Sequence, residues 1–196
     1  MTNSKKVNHM IKKTLERSTK IIAELSDLSD EINKTANLII TAINKNRKII
    51  IIGNGGSAAD AQHIAAEFLG RYKLKRKSIP AIALTSNSST TTAIANDYDF
   101  SDIFSRQCES LVSKGDVVIG ISTSGNSENV VKGLRTSKKN GGLTIGLLGN
   151  KGGKIKNIVD ISLIVKATSI PRIQEAHRVI YHIICEIVEE ELARIE

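Results

Sequence analysis

The chain has 196 residues, 40% hydrophobic and only 3% aromatic with no tryptophan, which suits one domain whose core is built from Ile, Leu, Val and Ala and favours a helix-covered parallel sheet over a β-sandwich. Its net charge of +8 comes from 28 basic and 20 acidic residues. The densest basic run, Lys73–Lys77, has no interleaved aromatics for base stacking and no helix-turn-helix or zinc-finger pattern beside it, so it reads as a solvated surface that attracts anionic substrates, with no nucleic acid as partner.

Residues 5–45 show helical periodicity through Ile11, Leu15, Ile21, Ile22, Leu25, Ile32, Leu38 and Ile39. The segment Ser26–Asp30 is expected to split them into two helices, with Ser26 or Ser29 capping the second. Their apolar stripe predicts packing against a partner subunit. Short apolar runs at Ile49–Ile52, Ala81–Leu84, Val117–Ile121, Thr144–Leu148 and Ile161–Val165 then read as five strands. Helical segments near 58–70, 88–95, 102–113, 128–139 and 151–157 separate them. A last helix starts at Pro171, a natural first helical residue, and runs to about Ala193. Such alternation means a parallel, doubly wound α/β sheet. No Pro-rich linker divides the chain, so residues 1–196 form a single domain: N-terminal helices over about 5–45 and a core over about 46–196. Cys108 and Cys185 form no CxxC and no disulfide framework, and no apolar run reaches membrane length. A cytoplasmic protein with no membrane partner is expected.

Ligands of such sheets bind beyond the carboxyl ends of the strands. Three hydroxyl- or glycine-rich loops lie there: Asn54–Ser57, Thr85–Thr92 with Asn96 and Asp97 beyond it, and Ser122–Ser127. Ser57 and Asp60 have capping-box spacing, which marks a helix start whose free amides attract phosphate. One turn later His63 and Glu67 fall on one helix face. In the C-terminal helix, Gln174 and His182 lean toward one stripe, whereas His177 lies off it and reads as structural. Two histidines, a glutamate and an amide oxygen suit Zn²⁺ or a similar ion.

Together GNGGSAADAQHIAAEFLGRY, AIAND, FSRQ, GDVVIGISTSGNSENV and PRIQEAHRVIYHI resemble the sugar isomerase (SIS) family, and within it the bacterial phosphoheptose isomerases, over about residues 30–192. The resemblance implies a three-layer α/β sandwich with a five-stranded parallel sheet, and a homotetramer with active sites at subunit interfaces. It implies conversion of sedoheptulose 7-phosphate to D-glycero-D-manno-heptose 7-phosphate, the first step toward activated heptose. Matching positions imply one Zn²⁺ per subunit on His63, Glu67, Gln174 and His182. They imply substrate contacts at Asn54, Gly55, Gly56, Glu67, Asn96, Asp97, Ser122, Thr123, Ser124, Ser127 and Gln174, with Ser57 and Arg71 as further contacts. Glu67 and His182 match the acid/base pair. Pro171 stands where some relatives carry an acidic residue close to the sugar, a departure that bears on hydroxyl recognition. The rivals are a non-enzymatic tetrameric scaffold of the same fold that binds a replication initiator, and an isomerase of another sugar phosphate. The presence of both Glu67 and His182 favours the heptose enzyme.

Overall fold

The computed structural model describes residues 3–194. Five parallel strands, β1 (Ile49–Gly53), β2 (Ala81–Ala83), β3 (Val117–Ser122), β4 (Leu143–Gly149) and β5 (Ile161–Val165), form one sheet in the order β2-β1-β3-β4-β5. Every run read as a strand is one, and each begins within a residue of its expected start. Alternate strand residues feed two cores. Ile49, Ile51, Ile119, Ile145 and Leu147 face one layer, and Ile50, Ile52, Val118 and Leu148 the other. Strands buried on both faces have no polar alternation, which is why their sequences are almost unbroken apolar runs.

The first layer comprises α2 (Ser29–Asn44), α3 (Gly56–Leu69) and α7 (Ile170–Ala193); the second comprises α4 (Ser88–Asp97), α5 (Ser105–Leu111) and α6 (Glu128–Lys139). Helix α1 (Asn3–Ala23) buries no residue and leaves Val7, Met10, Ile11, Leu15 and Ile22 exposed along its length. The chain order reverses between β1 and β3, the neighbours at the middle of the sheet, so the loops leaving these two strands flank the ligand crevice.

Four local expectations are corrected. Ser57 does not cap α3: Gly55 holds that place at φ +53°, and Ser57 lies inside the first turn at 4% exposure. Asp60, its supposed capping partner, instead turns its carboxylate to Arg178 Nη2 at 3.2 Å and accepts from Tyr181 at 3.3 Å. Neither Ser26 nor Ser29 caps α2, because a 3₁₀ turn over Glu24–Leu28 runs directly into it and Ser29 Oγ donates back to the Ser26 carbonyl. The segment 151–157 is helical only as a 3₁₀ turn at Ile155–Asn157, since Gly152 and Gly153 take positive φ.

Candidate active site

The left-handed Gly55 folds the chain sharply from β1 into α3. The first amides to bond inward are those of Ala58 and Ala59, so the amides ahead of them are left for other partners. Gly56 cannot carry a side chain without displacing Gln174, whose Nε2 would lie 2.3 Å from an added Cβ. Gln174, in the first turns of α7, is thereby pressed against the glycine turn.

Two turns into α3, His63 Nε2 meets Glu67 Oε1 at 2.9 Å. His182 completes the group from α7: the ligand atoms of His63, Glu67 and His182 all lie within 4.8 Å of one another. Donors at about 2.1 Å from a tetrahedral zinc stand roughly 3.4 Å apart, so small side-chain rotations would close the group on an ion. The other ring nitrogen of His63 contacts the Tyr181 hydroxyl at 3.0 Å. Arg178 Nε donates to that oxygen at 3.0 Å, and the hydroxyl donates to Asp60. With its own hydrogen committed to Asp60, the tyrosine oxygen can accept from His63 Nδ1–H. An ion set between Nε2 and Glu67 would then take up the Nε2 lone pair, where without one Nε2–H donates to the carboxylate. Burial, and then the neighbouring His63, lower the pKa of His182 against the pull of Glu67. That favours the neutral imidazole, the form that accepts a proton or ligates an ion.

The second part of the site is the loop after β3. Ser122 Oγ lies 3.0 Å from Ser127 Oγ and 3.4 Å from Ser124 Oγ, and it accepts from Gly125 N–H at 3.1 Å. Ser127 stands at the N-cap of α6 without capping it, so its hydroxyl is turned into the loop. Three hydroxyls and a helix N-terminus make a neutral anion cradle. Asn150 Nδ2 holds the loop from behind by donating to the Thr123 carbonyl at 3.0 Å. The two parts are tied together by a reciprocal amide pair, Asn54 with Asn129, at 2.8 and 2.9 Å.

Thus His63, Glu67 and His182 converge, Ser122, Ser124 and Ser127 converge, and Asn54, Gly55, Gly56, Ser57 and Gln174 gather at the glycine turn. Asn96 and Asp97 do not join these groups: they sit at the exposed end of α4, bonded to each other at 2.9 Å. Arg71 is exposed just past the end of α3. His177 is fully buried with Nε2 3.0 Å from the Leu148 carbonyl, a structural contact. Sequence reasoning missed Asn129, Tyr181 and Asp60 as supports of the site. It also took Lys73–Lys77 for a wholly solvated run, whereas Arg76 within it is buried against Glu189. The NSEN stretch that ends at Asn129 and the four-residue spacing of Tyr181 from His177 carry no signal for these roles, because each partner is distant in the chain.

The SIS domain model matches residues 5–149. A phosphoheptose isomerase of Geobacter sulfurreducens is 52% identical over 166 residues, covering 85% of this chain and 88% of the relative. One from Clostridium acetobutylicum is 48% identical over 95% of this chain and 94% of the relative. Among solved structures, the phosphoheptose isomerase of Neisseria gonorrhoeae superposes with a TM-score of 0.90 at 36% identity, over 94% of this chain and 99% of that one. That of Francisella tularensis superposes with a TM-score of 0.90 at 32% identity, over 97% and 100%.

Proposed function

This chain belongs to the SIS domain family, among its phosphoheptose isomerases, and from that premise we propose that it converts D-sedoheptulose 7-phosphate to D-glycero-D-manno-heptose 7-phosphate in the cytoplasm. The observation that carries the reading is the convergence of His63, Glu67 and His182 within 4.8 Å beside a cradle of serine hydroxyls. An aldose–ketose isomerase must move a proton between C1 and C2 through an enediolate. Glu67 takes the carbon-bound proton and His182 carries a proton to or from the oxygen. Ser122, Thr123, Ser124 and Ser127 hold the phosphate, and Asn54, Gly55, Gly56, Ser57 and Gln174 contact the substrate within one subunit, while the exposed Arg71, Asn96 and Asp97 reach it at a subunit interface.

The donor set of two imidazoles and a carboxylate fits Zn²⁺, which His63, Glu67 and His182 would hold with Gln174 as fourth ligand. When bound, the ion would polarise the sugar carbonyl as a Lewis acid. A carboxylate that ligates an ion tightly is a poor base, so Glu67 is assigned a weak or displaceable metal contact. The apolar row on α1, from Val7 to Ile22, supports assembly as a homotetramer with its sites at subunit interfaces.

The deciding experiment is isomerisation of sedoheptulose 7-phosphate by the purified protein, with and without Zn²⁺ after chelation. Turnover that collapses in Glu67→Gln and His182→Gln, with substrate binding retained, is the expected result. A folded tetramer with no turnover under either condition would shift the reading to a binding scaffold or another sugar phosphate.

A further inference from the structure

Glu189 lies near the end of α7 and Arg76 in the loop after α3, each with a side chain only 2% exposed. The Glu189 carboxylate accepts the successive backbone amides of Tyr72, Lys73 and Leu74 at 2.8, 2.5 and 2.8 Å, and pairs with Arg76 Nε at 3.1 Å. The Arg76 guanidinium in turn caps the end of α3. Its Nη1 donates to the Phe68 carbonyl at 2.9 Å and its Nη2 to the Glu67 carbonyl at 2.8 Å. Three elements therefore meet at one ion pair: the end of α3, the loop and α7.

Both ends of this assembly reach the candidate site. Glu67 is gripped through its own carbonyl. Tyr72, whose amide is the first donor to Glu189, lays its ring 5.5 Å from that of His182. Arg71 lies between the Gly70 end of α3 and these clamped amides. A buried ion pair is a poor means of stabilising a fold, since desolvation offsets most of its attraction, but directed hydrogen bonds around it define geometry. Here three amides bond the carboxylate and two Nη atoms bond carbonyls, while Arg76 Nε meets Glu189 by charge without a hydrogen bond. A loop needing only to be closed would not require a buried charge with so many directed bonds.

We propose that Glu189 and Arg76 are positioning residues that set Glu67 and His182 relative to each other from behind the site, Glu67 through its carbonyl and His182 through the ring of Tyr72. The inference rests on the reading of His63, Glu67 and His182 as the reaction centre. It deepens that reading by naming what holds the two helices in register.

The test uses the full-length protein with Glu189→Gln, which keeps size and loses charge, and Arg76→Lys, which keeps the ion pair and loses the fork that grips the carbonyls of Glu67 and Phe68. Amide hydrogen exchange at Tyr72–Leu74 reports whether the clamp has opened, circular dichroism reports the fold, and a competitive chelator reports Zn²⁺ affinity. The expected result is a folded protein with faster exchange at those amides, Zn²⁺ bound about ten- to a hundredfold more weakly, and a kcat that falls while KM moves less. Variants whose loop amides are released but whose Zn²⁺ affinity and kcat match the wild type would overturn the proposal and leave a plain loop staple. Should Glu189→Gln fail to fold, Arg76→Lys decides alone on the same readouts. Wild-type protein that binds no Zn²⁺ would sink the metal reading, and kcat then judges the clamp. Wild-type protein that does not turn over sedoheptulose 7-phosphate would sink the substrate reading, and Zn²⁺ affinity then judges it.

Discussion

Asn54 and Asn129 exchange two amide hydrogen bonds across the crevice between β1 and β3, at 2.8 and 2.9 Å. The pair joins the glycine turn to the first turn of α6, so the two loops that flank the ligand crevice move as one. Replacing Asn129, which is buried, by Leu leaves the Asn54 amide without its partner, at a cost of about 1–3 kcal/mol. The expected outcome is a folded protein of lower stability in urea, whose KM for sedoheptulose 7-phosphate rises several-fold. Asn129→Asp keeps an acceptor for Asn54 Nδ2 and should lose less. Equal KM in all three proteins would show that the tie has no bearing on substrate.

Two glycines beside the site should fail in different ways. A methyl group on Gly56 collides with the amide end of Gln174, a flexible side chain that can swing aside. Gly56→Ala should therefore stay folded within about 1 kcal/mol of wild type while turnover falls, because Gln174 is displaced. Gly125 sits at φ +68°, and an added Cβ would come within 2.2 Å of the Gly152 carbonyl oxygen. Left-handed geometry alone costs an alanine about 1–2 kcal/mol, and here rigid backbone blocks relief. Gly125→Ala should lower the melting temperature markedly. A Gly56→Ala protein that melts as early as Gly125→Ala would refute the distinction.

Tyr181 is the test of whether the triad is organised for a metal. Its hydroxyl stands 3.0 Å from His63 Nδ1 and connects that ring to Asp60 and Arg178. Tyr181→Phe keeps the ring packing and deletes the group that orients His63. Zn²⁺ affinity, read against a competing chelator, should fall about ten- to a hundredfold. Affinity unchanged by the substitution would mean that His63 does not depend on this hydroxyl for its orientation.

What could be read from residues alone, and what could not, divides by the reach of the interaction. The five strands were legible because burial on both faces writes itself into short contiguous runs such as Ile49–Ile52. The His63–Glu67 contact was legible because a helix places residues four apart side by side. The capping box failed because S-x-x-D spacing is blind to the positive φ of Gly55, which shifts the helix start. Lys73–Lys77 was misread for a different reason: the partner that buries Arg76 is Glu189, and no local pattern reports a carboxylate more than a hundred residues away. Likewise Asn129 gains its role only from Asn54, 75 residues earlier. The meeting of His182 with His63 and Glu67 was suggested by their donor chemistry and implied by resemblance, since spacing within one helix cannot say which other helix it faces.

His177 supplies a pH dependence separate from the reaction. It is fully buried between the sheet and α7, its Nε2 bonded to the Leu148 carbonyl and its Nδ1 without a hydrogen-bond partner among the described residues. Burial pushes its pKa from the ordinary 6.5 down to about 4, against smaller upward pulls from the Leu148 carbonyl and Asp60. The imidazole is then a weaker base folded than unfolded, so between those values the unfolded chain binds more protons. Its contribution to stability is complete above about pH 6.5, is lost as pH falls toward 4, and changes no further below that. The loss amounts to about 3 kcal/mol at most. Urea unfolding at pH 7.5 and pH 4.5 should show this decline in the wild type and a smaller one in His177→Gln, which has no imidazole to titrate. An equal decline in both proteins would assign the acid sensitivity to other groups and leave His177 a packed side chain with no role in it.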